Sequence, residues 1–290
     1  MSSDDELLRS PVFVIGAPRS GTTVLSQVLS AHPDLALIGE PRFTWKHGNE
    51  RRSDWLRAED ARPEVVRHIR HSFAEVARAE GCDRILEKTP SNALRMPFVD
   101  RVFPDACYVH VIRNGIDSTI SIRSYWENFG AGLPSRVVRR RLRDFEMRRA
   151  PFYVKELLRR IAPAWVRPLT GRSIWGPELP GMQQMLREMT LEQVCALQWR
   201  FCVEEACGFG RRLDPSRYLE VRYEDLNEEA LLRIARFAGI EPPEPVIEAL
   251  RQTFGDRGRR SPDPEERSLV TERALPILEP TLSWLGYETD

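Results

Sequence analysis

The stretch "VIGAPRSGTT", residues 14–23, decides the fold. It completes a short β-branched run, "PVFVIGA" (11–17), which stops at glycine; "TTVLSQVLSAHP" follows with Val24, Leu25, Val28 and Leu29 on one helical face. That reads as strand, tight turn, helix. Gly16 and Gly21 let successive backbone N–H groups face inward, and the helix adds the positive end of its dipole. With Arg19, Ser20, Thr22 and Thr23 in the same turn, the turn reads as a phosphate loop. Nucleotide-hydrolysing loops of this shape carry Gly-Lys-Ser/Thr, the lysine reaching the phosphates and the hydroxyl holding magnesium. Here Thr22 stands where that lysine would be.

Outward from this unit, strands and helices alternate. Short strands are expected at "LALIGE" (35–40), "RILEKT" (84–89), "CYVHVIRN" (107–114) and "RYLEVRYEDL" (217–226). Helices are expected over 64–80 and at "MPFVDRVFP", "DSTISIRSYW" and "EALLRIARFAGI". Such alternation implies βαβ units and a mostly parallel sheet, hence an α/β fold. Residues from about 127 to 190, rich in Arg, Pro and Trp, break the rhythm and are expected to form a largely helical insertion. Within it, 136–160 holds ten Lys/Arg and three Asp/Glu, a local net of +7. That reads as a solvated helix face, or else as an acceptor surface for an acidic molecule. Residues 252–270 read as a mobile loop before a closing helix that runs up to "LGY".

Bulk properties narrow the function classes. A chain of 290 residues suits one large domain, and 41% hydrophobic residues suffice for a packed core. A formal net charge of zero lends no support to general nucleic-acid or membrane affinity. No run of about 18 apolar residues occurs, so no membrane span is expected. The polar, acidic start and five cysteines without a CxxC pair suggest a reduced, cytoplasmic protein without a structural metal. Cys195 and Cys202 are spaced to share one helix face.

The polar residues of interest fall where strands end: Arg19 after the first, Glu40 after the second, Lys88 on the third, Arg113 after the fourth and Tyr223 on the last. In open parallel sheets ligands bind outside the carboxyl ends of the strands, so these positions read as one site. The strand "YVHVI" ends in Arg113, where a metal-binding enzyme would need a carboxylate. Ser121, two helical turns further on, is placed to clasp a phosphate together with Arg113. The implied ligand is a nucleotide with phosphate at two separate places and no metal.

"GAPRSGTT" together with "VIRNGIDSTIS" resembles the 3′-phosphoadenosine 5′-phosphosulfate (PAPS)-dependent sulfotransferase family. The first segment is similar to its 5′-phosphosulfate loop and the second to its 3′-phosphate motif. "RSGTTVLSQVLSAHPDLALIGEPR", "EKTP" and "RYLEVRYEDL" resemble its tyrosylprotein and bacterial branch. The resemblance covers residues 11–125 and about 190–240. It implies a P-loop-like three-layer fold in a single domain over 1–290, and PAPS as co-substrate with no metal. It also implies in-line transfer of a sulfuryl group to a hydroxyl, or less readily an amine, of a small-molecule, glycan or peptide acceptor.

That resemblance assigns Glu40 as the base for the acceptor proton and sets Tyr223 near the adenine. Arg19, Ser20, Gly21, Thr22 and Thr23 fall to the 5′ end of the donor, and Arg113 and Ser121 to the 3′-phosphate. Lys88, as a flexible point charge, suits the charge that develops on the bridging oxygen, with Arg19 serving the same end. Glu40 has a bland alternative as the ion-pair partner of Arg42. His32 and His110 read as structural, and Arg257, Arg259 and Arg260 read either as closing over the 3′-phosphate from the tail loop or as ordinary basic loop residues. The rival readings are a degenerate P-loop nucleotide kinase and a non-catalytic nucleotide-binding module. The missing lysine and metal carboxylate weigh against the first, and Glu40 and Lys88 against the second.

Overall fold

The computed structural model describes residues 8–82, 84–128, 174–240, 244–255 and 263–288. Five strands, β1 (Val12–Ile15), β2 (Leu35–Gly39), β3 (Arg84–Lys88), β4 (Cys107–Ile112) and β5 (Tyr218–Arg222), form one sheet in the order β2-β3-β1-β4-β5. Every pairing is parallel. All five carboxyl ends therefore lie along one edge, with the first strand in the middle.

Alternation along the strands divides the core into two faces. Phe13 and Ile15 of β1, and Tyr108 and Ile112 of β4, enter one cluster; Val12, Val14, Val109 and Val111 enter the other. On the first face pack α3 (Pro63–Glu80), α4 (Met96–Val102), α5 (Gly115–Asn128), α6 (Met182–Glu188), α7 (Leu191–Gly210) and α10 (Pro264–Trp284). The second face is covered by α1 (Thr22–Leu29), α8 (Glu228–Ala238) and α9 (Glu244–Gly255). Strands this short, apolar on both faces, are what a sheet covered on both sides requires. The result is the three-layer α/β arrangement expected.

Several helix ends follow from local sequence. Thr190 and Gln193 form a reciprocal capping box at the start of α7, and Asn227 accepts from the Ala230 N–H at the start of α8. The short α2 (Arg42–Trp45) is held by Trp45, which packs edge-on to Phe73 at 5.2 Å and tilted to Phe13 at 6.1 Å. Such aromatic pairs add about 0.5–1.5 kcal/mol beyond the area they bury. This anchors the segment that leaves β2 through Glu40.

Cys195 and Cys202 are both buried on α7, and all five cysteines are free. Among the described residues no helix is long and apolar enough to cross a membrane. The basic stretch 136–160 and most of the expected insertion lie outside the described residues, as do Arg257, Arg259 and Arg260. The reading of 252–270 as loop needs correction at both ends. Helix α9 runs to Gly255, and α10 begins at Pro264, with Asp263 accepting from the Glu265 N–H.

Candidate functional site

The sheet order turns the strand-end residues into a line. Along the carboxyl edge stand Glu40 after β2, Lys88 ending β3, the 16–21 loop after β1, Arg113 after β4 and Tyr223 after β5. The loop from the central strand thus separates a carboxylate–ammonium pair on one side from an arginine and a tyrosine on the other.

The loop is shaped by close approach. A Cβ on Gly16 would lie 2.5 Å from the Val111 carbonyl oxygen, and one on Gly21 would lie 2.3 Å from Cδ2 of Tyr223. Gly21, at φ 94°, caps α1 without any side-chain cap hydrogen bond. Its first-turn N–H groups therefore present a bare positive helix end, the chemistry that holds a phosphate. Ser20 Oγ donates to the Ala17 carbonyl at 2.7 Å, closing the turn from inside. Thr22 is buried and Thr23 exposed on successive positions.

Arg19 stands between the two halves of the site. Its Nε donates to Ser121 Oγ at 3.0 Å, and its carbonyl accepts from Arg113 Nη1 at 3.1 Å. Its guanidinium lies 4.3 Å from the ring centre of Tyr125 on α5. Arg113 in turn lies 4.9 Å over the ring of Tyr223 and pairs with Asp117 at 3.8 Å. Arg19, Ser121, Arg113, Tyr223 and Gly21 form one contiguous group in which two guanidinium groups stand beside an open helix end, a chemistry suited to an anionic, phosphate-bearing ligand. The residues present fit a nucleotide phosphorylated at two places.

On the other side, Glu40 and Lys88 are joined twice. The Glu40 N–H donates to the Lys88 carbonyl at 3.0 Å, continuing the β2–β3 ladder by one residue. The Lys88 ammonium donates to Glu40 Oε1. The Lys88 side chain is only 7% exposed, whereas that of Glu40 is 57% exposed. The carboxylate is therefore open to solvent while the ammonium is buried. Glu40 and Arg19 have φ of 53° and 67°, and both are non-glycine residues held in the left-handed region. Strain of that kind costs about 1–3 kcal/mol and gathers at functional sites.

Arg42 does not pair with Glu40. It turns instead to the Gly176 carbonyl at 3.4 Å and approaches Asp54 at 4.0 Å. Below the pair, Glu87 is fully buried and accepts from Trp45 Nε1 (2.9 Å), Thr89 Oγ1 (2.5 Å) and Asn92 Nδ2 (2.8 Å). Burial pushes its pKa up to about 7 against the pull of those donors and of Arg95.

The histidines take the structural places expected of them. His32 precedes β2 and so lies at the opposite edge of the sheet. His110 is buried within β4, its Nδ1 2.6 Å from the Tyr218 hydroxyl and 3.8 Å from Cys207 Sγ. Burial lowers its pKa to about 4. Among the described residues, His110, Cys207 and Glu220 form one grouping with metal-ligand spacing. The Tyr218 hydroxyl also donates to Glu220 at 3.0 Å, and Arg211 holds that carboxylate with two bonds. These partners satisfy the Glu220 carboxylate and His110 Nδ1, while His110 Nε2 is buried without a hydrogen-bond partner among the described residues.

Several neighbours of the site carry no signal in a linear reading. Trp199 of α7 donates to the Arg113 carbonyl at 3.1 Å, and Glu224 accepts from the Asn114 N–H at 3.0 Å. Arg267 of α10 reaches Asp117 at 3.0 Å, so the tail touches the Arg113 side of the site through a residue other than those expected. Tyr125, 47% exposed, lies 5.1 Å from Trp175.

Comparison with known proteins bears on the family and the fold. The family model described as "Sulfotransferase family" matches residues 11–174, more than half of the 290-residue chain. Protein-tyrosine sulfotransferase A of Caenorhabditis elegans is 31% identical over 138 residues, covering 42% of this chain and 36% of that protein. Nodulation protein NoeE of Sinorhizobium fredii is 27% identical over 142 residues, covering 43% of this chain and 34% of that protein. The chain thus spans well under half the length of these relatives. Among solved structures, sulfotransferase STF9 from Mycobacterium avium aligns with a TM-score of 0.55 at 13% identity, over 97% of this chain and 78% of that one. A sulfotransferase domain from the curacin biosynthetic pathway aligns with a TM-score of 0.50 at 14% identity, over 97% and 98%. At such identities these two likenesses speak for the fold alone.

Proposed function

This chain belongs to the sulfotransferase family, and we propose that it moves a sulfuryl group from PAPS to a hydroxyl group of an acceptor. The observation that carries this reading is the division of the carboxyl edge by the 16–21 loop: Glu40 with Lys88 on one side, Arg113 with Tyr223 on the other. A donor with sulfate on a 5′-phosphate and a separate 3′-phosphate has matching ends.

In this reading the loop N–H groups, Arg19, Ser20, Gly21, Thr22 and Thr23 receive the 5′ end. Arg113 and Ser121 receive the 3′-phosphate, and Tyr223 lies beside the adenine. Because Arg19 already reaches Ser121, one guanidinium serves both phosphate places. The acceptor oxygen attacks sulfur, the bond from sulfur to the bridging phosphate oxygen breaks, and adenosine 3′,5′-bisphosphate leaves. Glu40 takes the acceptor proton. In doing so it loses the charge that held Lys88, and the ammonium is released towards the charge growing on the bridging oxygen. Arg19 meets the same charge from the loop side. The step so written calls for no metal ion.

Thermal unfolding with nucleotides tests the donor assignment. At 100 times its dissociation constant, adenosine 3′,5′-bisphosphate should add about 2.7 kcal/mol of stability, and ATP with magnesium much less. Stabilisation by ATP–magnesium alone would favour a nucleotide kinase instead.

A further inference from the structure

Asp54 lies fourteen residues beyond Glu40, outside any helix or strand, yet it is wholly buried. Its backbone N–H donates to the Glu178 carbonyl at 2.8 Å, and its Oδ2 accepts from the Glu178 N–H at 2.8 Å. Oδ2 also accepts from Ser91 Oγ at 3.1 Å, and Oδ1 accepts from Arg95 Nη1 at 3.3 Å. The Lys46 ammonium lies 3.6 Å from Oδ1, and Arg42 Nη2 lies 4.0 Å from Oδ2.

These partners come from three separate segments. Arg42 and Lys46 belong to α2 and the residue after it, just past Glu40. Ser91 and Arg95 belong to the 3₁₀ turn Pro90–Arg95, which follows Lys88 by one residue. Glu178 belongs to the strip whose Gly176 carbonyl accepts from Arg42. The chain that leaves Glu40 and the chain that leaves Lys88 therefore converge on one buried carboxylate. Burial alone would raise its pKa; the Lys46, Arg95 and Arg42 cations overcome this and hold it down to about 2. Glu87 ties the same two segments together, but through neutral donors only. Asp54 alone faces three cations and reaches the third segment as well.

We propose that Asp54 is a positioning residue for the Glu40–Lys88 pair: it fixes the two segments that carry the pair against each other without touching either member. This inference rests on the sulfuryl-transfer reading above. An amide at this position would keep the shape but turn an N–H₂ group towards existing donors. It would also leave Lys46, Arg95 and Arg42 without their shared counter-charge. The segments would then part, and the base would no longer meet the acceptor in register with the ammonium.

The test is Asp54→Asn, read by calorimetric binding of adenosine 3′,5′-bisphosphate and by turnover per nucleotide-binding site. The donor-side group lies across β1 from Asp54, so nucleotide affinity should stay within about 2-fold, as for independent sites. Turnover at saturating donor and acceptor should fall on the order of 10²-fold, as for a misplacement of about 1 Å at reacting atoms. If Asp54→Asn does not fold, Ser91→Ala removes one of the two links to the Lys88 segment and leaves that of Arg95; it should lower turnover several-fold with nucleotide binding unchanged. Nucleotide binding that falls in proportion to turnover would overturn the proposal and make Asp54 a support of the whole fold. Unchanged turnover in the variants beside an active wild type would overturn it too. A wild type that binds the nucleotide but transfers nothing would overturn the transfer reading and this inference together.

Discussion

The left-handed backbone at Glu40 yields a stability experiment whose outcome runs against the usual order of Ala and Gly. Glu40 has φ 53°. A residue with a Cβ pays roughly 1–2 kcal/mol to sit there, and glycine does not. Against this, replacing alanine by glycine loosens the unfolded chain by about 0.4–1 kcal/mol. The difference leaves Glu40→Gly more stable than Glu40→Ala by about 0.5–1 kcal/mol. Both variants lose the carboxylate and leave Lys88, 7% exposed, without that partner. This shared loss, about 1–3 kcal/mol relative to wild type, cancels between them. Urea unfolding followed by circular dichroism gives the comparison directly, as a shift in midpoint at a common slope. Both variants should transfer sulfuryl groups at least about 10²-fold more slowly than the wild type. An alanine variant as stable as the glycine variant, or more so, would refute the strained backbone.

Other consequences follow from the two halves of the site and from the core. Arg113→Met should weaken adenosine 3′,5′-bisphosphate strongly but weaken an analogue lacking the 3′-phosphate far less; equal losses in calorimetry would sink the assignment of Arg113. Lys88→Ala should lower turnover much more than nucleotide binding, because the charge it meets develops during transfer, and unchanged turnover at saturation would move that role elsewhere. His110 has its pKa lowered by burial from 6.5 to about 4, so its contribution is whole above pH 6.5 and is lost as pH falls towards 4. The loss approaches about 3 kcal/mol, and His110→Gln should flatten the unfolding free energy over that window, as urea titrations at several pH values would show.

Much of this was legible in the sequence because it is local. The end of β1, the glycine turn and the start of α1 are written within ten residues, and parallel strands place their carboxyl ends together by necessity. Gly21 needs its freedom for the reason a strand-to-helix turn suggests, with the Tyr223 ring as the added, unforeseen cause. What was hidden depends on contacts between distant segments. Sequence proximity puts Arg42 near Glu40, with only Pro41 between them, but a tight turn intervenes, with the Arg42 N–H on the Glu40 carbonyl at 2.7 Å, and sends the guanidinium towards Asp54 and Gly176. Asp54 gathers partners up to 124 residues away and sits in a stretch with no periodicity to read. The closing helix is legible, but the start of α10 is obscured by a run of Pro, Asp and Arg, although Asp263 before Pro264 is a helix-start signal. The Thr190–Gln193 box before α7 is another such signal.

The most direct measurement is transfer of labelled sulfuryl from PAPS to phenol and alcohol acceptors by the wild-type chain and by Glu40→Gln. The wild type should label the acceptor and release adenosine 3′,5′-bisphosphate in equal amount. Glu40→Gln should bind that nucleotide as the wild type does and turn over about 10²–10⁴-fold more slowly, with the smaller loss on the more acidic phenol. Wild-type rates from Glu40→Gln on an alcohol would contradict the base assignment, and a wild type that labels no hydroxyl acceptor while binding the nucleotide would contradict the sulfuryl-transfer account itself.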